Sequence, residues 1–186
     1  MGTGNVNEAA RRITRDLNQS GIDYAIVGGI ALIAHGYKRE TVDVDILVRP
    51  EGLQAFLDQF VGRGYVPAFS GARKSFKETQ TGVKIEFLTT GEYPGDGKPK
   101  PVVFPDPATV RVELEGAQVL GLPALVELKL ASGMTNPGRL RDLADVQELI
   151  RVLRLPADFA EKLNPYVRPK FEELRSALAQ PDPHTE

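Results

Sequence analysis

The sequence contains no cysteine and only two histidines, His35 and His184. The absence of cysteine excludes disulfide bonds, thiolate metal sites and cysteine nucleophiles. Two histidines are too few for a histidine-rich zinc site. We therefore expect any bound metal to be a hard cation that is held by oxygen atoms.

Long hydrophobic runs and a strong net charge are also missing. No apolar run approaches the roughly 18 residues that a membrane-spanning helix needs, and the N-terminal segment MGTGNVNEAARRITRDL has no apolar signal core. We therefore expect a cytoplasmic protein that does not bind membranes. The formal net charge of −2 at pH 7 is unlike that of a protein that binds nucleic acid through its whole surface. Any binding of nucleic acid would therefore depend on a local basic patch.

The composition is that of a soluble globular protein, with 41% hydrophobic and 26% charged residues among 186. The predicted elements run from one helix, through a β-rich region with two inserted helices, to a helical C-terminal third. Because strands and helices do not alternate strictly, we predict an α+β fold with a mixed sheet. We expect a core over residues 1–120, a helical region over 121–178 that packs on it, and a flexible tail over 179–186.

Hydrophobic periodicity and turn residues predict the individual elements. Helices are predicted at 7–20, 30–36, 50–60, 123–133, 138–153 and 156–178. Strands are predicted at 23–27, 42–49, 65–69, 72–79 and 82–89, and in the segments TVRVELE and AQVLG. Residues 91–107 hold five of the fourteen prolines and predict a surface loop, which is either a lid over a ligand or a simple connector.

The segment TVDVDILV places two aspartates in a run that otherwise reads as a buried strand. Side chains alternate between the faces of a strand, so Asp43 and Asp45 share one face. In the later segment GVKIEFLTT, Lys84 and Glu86 share a face in the same way. Alone, a D-x-D pair is more often the solvated face of an edge strand. If the two strands are neighbours, however, three carboxylates meet and either take up protons or hold a divalent cation, for which oxygen ligands favour Mg²⁺ or Mn²⁺.

A glycine pair, Gly28–Gly29, follows a predicted strand and precedes a short helix. Backbone amides and a helix N-terminus at such a turn can face an anion. Glycine also lets a phosphate approach the backbone closely.

The pattern VGG, thirteen intervening residues, then DVD resembles that of the nucleotidyltransferase (DNA polymerase β-like) superfamily, and KRETVDVDILV is similar to its small prokaryotic members. The resemblance implies a nucleotidyltransferase-like core flanked by helices. It also implies an enzyme that moves a nucleoside monophosphate from a nucleoside triphosphate (NTP) to an acceptor hydroxyl. By motif match, Gly28 and Gly29 would bind the nucleotide, while Asp43, Asp45 and Glu86 would bind Mg²⁺ or Mn²⁺ and take part in catalysis.

A second segment, LVELKLASGMTNPGRLRDLADVQEL, is similar to the abortive-infection (AbiEii-like) nucleotidyltransferase toxins. Lys129, Arg141, Asp142 and Asp145 occupy the matching positions. The resemblance implies catalysis and nucleotide binding for Lys129 and nucleotide binding for Asp142. In the structural alternative, Asp142 and Asp145 are an ordinary helical pair spaced by three residues, and Arg141 lies on a solvated helix face.

The sequence leaves the acceptor open. The likeness to the toxins favours RNA, such as a tRNA 3′ end, and a toxin–antitoxin or phage-defence role with a cognate antitoxin as partner. Local basic residues are the candidates for contacts with RNA phosphates: Arg73, Lys74, Lys77 and Arg139. The alternatives are nucleotidylation of a partner protein (antitoxin type), a small-molecule acceptor, and a nucleotide-binding regulator without turnover. His35 is expected to be a structural histidine.

Overall fold

The computed structural model of the chain describes residues 3–179. The tail predicted for 179–186 lies outside this range, apart from its first residue. The chain forms two units. The first, which we call the sheet unit, contains the residues up to Glu92 and Phe104–Gly121; the second, the helical unit, contains Tyr93–Val103 and the residues from Leu122 onward.

Seven strands within residues 3–179 form one sheet, which belongs to the sheet unit. They are β1 (Tyr24–Ile26), β2 (Asp43–Val48), β3 (Tyr65–Pro67), β4 (Ser75–Glu78), β5 (Lys84–Thr89), β6 (Arg111–Leu114) and β7 (Ala117–Leu120). Their order across the sheet is β3-β4-β5-β2-β1-β7-β6. The pairs β1–β7 and β2–β5 are parallel and the other neighbours are antiparallel. The predicted α+β fold with a mixed sheet is confirmed.

The helices of the sheet unit are α1 (Thr3–Gln19), α2 (Gly28–Ala34), α3 (Pro50–Phe60) and the short α4 (Pro107–Val110). Helix α3 buries Phe56, whose ring lies 5.3 Å from that of Phe76 on β4 and 4.5 Å from that of Phe87 on β5. Offset and edge contacts of this kind stabilise a core beyond their buried area. Because side chains alternate along β5, the packing of Phe87 against α3 turns Glu86 towards the opposite face of the sheet.

The helical unit contains α5 (Leu122–Thr135), α6 (Leu140–Leu153) and α7 (Arg168–Ala179), with 3₁₀ turns at Pro137–Arg139 and Ala157–Lys162. The single helix predicted over 156–178 is therefore wrong. Pro165 disfavours helical geometry at Asn164, whose side chain instead accepts a hydrogen bond from the amide of Tyr166 at 3.0 Å. No helix within residues 3–179 is both long enough and apolar enough to span a bilayer.

Candidate active site

The predicted carboxylates lie on the neighbouring parallel strands β2 and β5. The register pairs Asp45 with Glu86 and Asp43 with Lys84, so all four side chains share one face. The apolar residues between them are buried on the other face. The three carboxylate groups, from Asp43, Asp45 and Glu86, each offer an oxygen within 4.8 Å of the other two, and each side chain is partly exposed. The structure therefore brings the three acids together.

Lys84 lies on the same face as the three carboxylates. We call these four side chains together the acid cluster. The ammonium of Lys84 forms an ion pair with Glu86. That hydrogen bond raises the pKa of Lys84 above its ordinary value, and the charges of Asp43 and Asp45 act in the same direction. The ammonium therefore offsets part of the negative charge of the cluster. The alternation of β5 in the sequence places Lys84 on this face, but we predicted no role for it.

The turn at Gly28 packs directly against β2. Gly28 has a φ of +62°, and a Cβ built there would lie 1.9 Å from Oδ2 of Asp45. The amide of Val27 donates to the main-chain oxygen of Asp45 at 2.9 Å. Glycine is therefore required both by the left-handed backbone and by the approach of the Asp45 carboxylate.

Gly29 makes room for Thr41, a residue for which we predicted no role. A Cβ on Gly29 would lie 2.6 Å from Oγ1 of Thr41. That hydroxyl donates to the main-chain oxygen of Asp43 at 3.2 Å and lies 3.4 Å from its Oδ1. The glycine pair thus fits against both aspartates of the D-x-D strand, directly at Gly28 and through Thr41 at Gly29.

The predicted residues of the C-terminal segment form a second cluster, inside the helical unit. Lys129 on α5 donates to Asp142 and to Asp145 on α6, both at 2.8 Å. Ser132 donates to Asp142 at 2.7 Å, which the sequence did not indicate, and Arg141 is exposed. These bonds link α5 to α6. A structural role, as a network that stabilises the helical unit, therefore explains Lys129, Asp142 and Asp145. Nucleotide binding by Lys129 and Asp142 stays a prediction.

The basic residues proposed to contact RNA have different surroundings. Arg73 and Lys74 precede β4 instead of lying on a strand as predicted, because the chain turns there with a hydrogen bond from the Ala72 amide to the Phe69 oxygen. Lys74 forms an ion pair with Glu92.

Two further basic candidates are exposed, and His35 has a main-chain partner. Lys77 is exposed on β4 and is the register partner of Lys84. Arg139 is exposed in the helical unit. His35 Nε2 donates to the main-chain oxygen of Leu120 at 2.8 Å, as expected for a structural histidine.

No protein-family model matches the chain, and no curated protein sequence matches it. The solved structures that resemble it over most of its length include two with a TM-score above 0.5. One is an antigenic nucleotidyltransferase-like protein from Paracoccidioides brasiliensis, with a TM-score of 0.57 and 16% identity over 97% of this chain and 89% of that one. The other is the antibiotic-resistance factor ANT(2'')-Ia, with a TM-score of 0.55 and 15% identity over 96% and 93% of the two chains. The chain has a nucleotidyltransferase-like fold. Membership of the AbiEii-type subgroup stays a prediction.

Proposed function

We propose that the protein is a metal-dependent nucleotidyltransferase that moves a nucleoside monophosphate from an NTP to an acceptor hydroxyl. The observation that carries the proposal is the convergence of Asp43, Asp45 and Glu86 on one face of a nucleotidyltransferase-like sheet. Two carboxylates are enough to hold a metal–nucleotide complex. The third argues for catalysis, because a protein that only binds a nucleotide does not need it.

The acid cluster fits a hard divalent cation. Magnesium binds oxygen at about 2.0–2.1 Å, so two ligand oxygens of one ion lie no more than about 4.2 Å apart. The three carboxylates are within 4.8 Å of one another and are partly exposed, so small side-chain rotations close the set. Asp43, Asp45 and Glu86 would hold Mg²⁺ or Mn²⁺. The bound cation would neutralise charge on the phosphates and on the departing pyrophosphate.

The reaction forms one bond and breaks one bond at the α-phosphorus of the NTP. The acceptor oxygen attacks that phosphorus, the bond from phosphorus to the pyrophosphate oxygen breaks, and the hydroxyl proton must leave. We assign the proton to Glu86, which acts as a general base. Gly28 and Gly29 would direct backbone amides at the triphosphate. In the helical unit, Lys129 and Asp142 are proposed to contact the nucleotide.

RNA is the first candidate for the acceptor, with a toxin role. Exposed Lys77 lies on the same face as the acid cluster, one strand beyond Lys84, and could contact a phosphate. A small molecule is the second candidate, since one of the similar structures is an antibiotic-resistance factor. Both acceptors use the same chemistry at the α-phosphorus.

Labelling tests the reaction class and the acceptor together. The protein is incubated with Mg²⁺ and each α-³²P-labelled NTP in turn, with purified RNA, with protein from a lysate, or with a small-molecule fraction. Label in RNA supports the leading proposal, and label in the small-molecule fraction supports the second. Label in protein supports an antitoxin-type acceptor. Nucleotide binding without label in any fraction would show a regulator and would refute the transfer proposal.

The toxin role has a separate test in cells. Expression without a cognate antitoxin is expected to slow growth, and Asp43→Asn is expected to relieve the effect. Toxicity that persists in Asp43→Asn would contradict a toxin that acts by nucleotidyl transfer. A protein that labels RNA in vitro but leaves growth unchanged would keep its reaction class and lose the proposed toxin role.

A further inference from the structure

Lys84 lies within the acid cluster, not beside it. Its register partner is Asp43, and Glu86 on its own strand is paired with Asp45. Its ammonium forms an ion pair with Oε1 of Glu86, which is one of the three carboxylates that could hold a metal ion. The ammonium of Lys84 therefore already pairs with one of the proposed metal ligands.

We propose that Lys84 is a built-in counter-ion that competes with a divalent cation for Glu86 and so lowers the metal affinity of the site. The inference rests on the proposed function, since it presumes that the acid cluster holds a metal. Three carboxylates this close repel one another, and an ammonium among them offsets that repulsion. A divalent cation that engages Glu86 must displace the ammonium or bind next to it, and either event weakens binding.

The chain offers a matched control in Lys77. This side chain lies on the same face, is exposed, and is the register partner of Lys84 on β4. It is therefore one strand further from Asp43 and Asp45. Strands in a sheet are about 4.8 Å apart, so the removal of this charge acts on the cluster from a greater distance and through solvent.

The experiment measures Mn²⁺ binding without nucleotide, by electron paramagnetic resonance and calorimetry, for the wild type, Lys84→Met, Lys84→Arg and Lys77→Met. Lys84→Met is expected to bind Mn²⁺ about five- to tenfold more tightly, because a nearby positive charge is lost. Lys84→Arg keeps the charge and should stay close to the wild type. Lys77→Met should change the affinity by less than about twofold. Addition of Mn²⁺ should also raise the melting temperature more in Lys84→Met than in the wild type.

The outcomes separate this inference from the proposed function. Equal Mn²⁺ affinity in the wild type and Lys84→Met would refute the counter-ion and leave the metal site standing. Weaker Mn²⁺ binding in Lys84→Met would show instead that Lys84 positions Glu86 for the metal. An equal gain in affinity in Lys77→Met would show a general charge effect. Each of these two results would overturn the inference. If neither protein binds Mn²⁺, the proposed metal site fails as well. If Lys84→Met does not fold, as judged by circular dichroism, Lys84→Gln makes the same comparison.

Discussion

The two units each contain a lysine among carboxylates, and the two groups differ in burial and in charge balance. In the helical unit, the side chains of Lys129 and Asp145 are 10% and 3% exposed, and Lys129 bonds to two aspartates. In the sheet unit, the side chains of Lys84 and Glu86 are 43% and 36% exposed, and the ammonium pairs with one of three clustered carboxylates. The same residue types thus form a closed structural link in one unit and a negatively charged, open cluster in the other.

Burial explains why the two groups should respond differently to mutation. A buried ion pair is costly to break, because the partner that remains is a charge without compensation in a medium of low polarity. Partly exposed carboxylates keep contact with water, so the loss of one costs little stability. The comparison predicts an effect on activity in the sheet unit and an effect on stability in the helical unit.

The largest expected effect is on transfer activity in Asp43→Asn and Asp45→Asn. Each change removes a charged metal ligand, so the rate should fall by at least about 10³-fold. The melting temperature should stay unchanged or rise slightly, because repulsion within the acid cluster is relieved. Label transfer and thermal unfolding measure the two quantities. Asp58→Asn, an exposed change on α3, is the control and should keep full activity. Near wild-type turnover in either cluster variant at saturating Mg²⁺ would contradict the metal assignment.

Glu86→Gln should slow the chemical step more than it weakens nucleotide binding. The loss of a general base typically lowers a rate by about 10²–10⁴-fold. Single-turnover kinetics and calorimetry with a non-hydrolysable nucleotide measure rate and affinity separately. An unchanged rate in the folded variant would place the base elsewhere.

Lys129→Met should destabilise the protein, since Asp145 would remain buried without its ammonium. Removal of one member of a buried pair lowers the free energy of unfolding by about 3–5 kcal/mol. Denaturant unfolding measures it. The control is Lys170→Met, which breaks an ion pair with exposed Glu173 in the same unit and should cost no more than about 1 kcal/mol. A stable Lys129→Met variant that loses nucleotide affinity would favour the sequence-based role of Lys129 over the structural one.

The smallest expected effect is on the pH dependence of stability. It concerns Glu78 in the sheet unit, whose carboxylate oxygens accept several hydrogen bonds. Burial acts to raise the pKa of Glu78, but hydrogen bonds from the Thr81 hydroxyl and from the amides of Gln80 and Thr81 outweigh it and lower the pKa below its ordinary value. The ionised carboxylate therefore stabilises the fold fully above the pKa that Glu78 has in the unfolded chain. This stabilisation is lost as the pH falls through the pKa of Glu78 in the folded protein. Glu78→Gln should flatten the loss of melting temperature below about pH 4.5. An unchanged profile would show that these hydrogen bonds do not favour the ionised form.

The sequence could predict which side chains share a face of each site strand, but it could not predict which strands lie next to each other. Alternation along TVDVDILV and GVKIEFLTT places Asp43 with Asp45 and Lys84 with Glu86, because the period of a strand is a local property. The parallel pairing of β2 with β5 joins segments about forty residues apart. Local periodicity carries no information about such a pairing, so the convergence of the acids was a conditional prediction.

Local signals also failed where two of them conflicted. The apolar spacing over 156–178 favours a helix, and Pro165 within it favours a break; the structure follows the proline. Steric exclusion before a proline ring is a hard constraint, whereas hydrophobic spacing is a preference that other packing can satisfy.

The sequence by itself determined most of the elements and the face of each acid, and it marked the glycine pair at positions 28 and 29. Tertiary structure decided what occupies the space beside those glycines, namely Asp45 and Thr41, and that Lys129 meets Asp142 and Asp145. It also decided that Lys84 pairs with Glu86 inside the acid cluster. The reason is that backbone preference and side-chain alternation act over a few residues, whereas burial and charge balance depend on which distant segments the fold brings into contact.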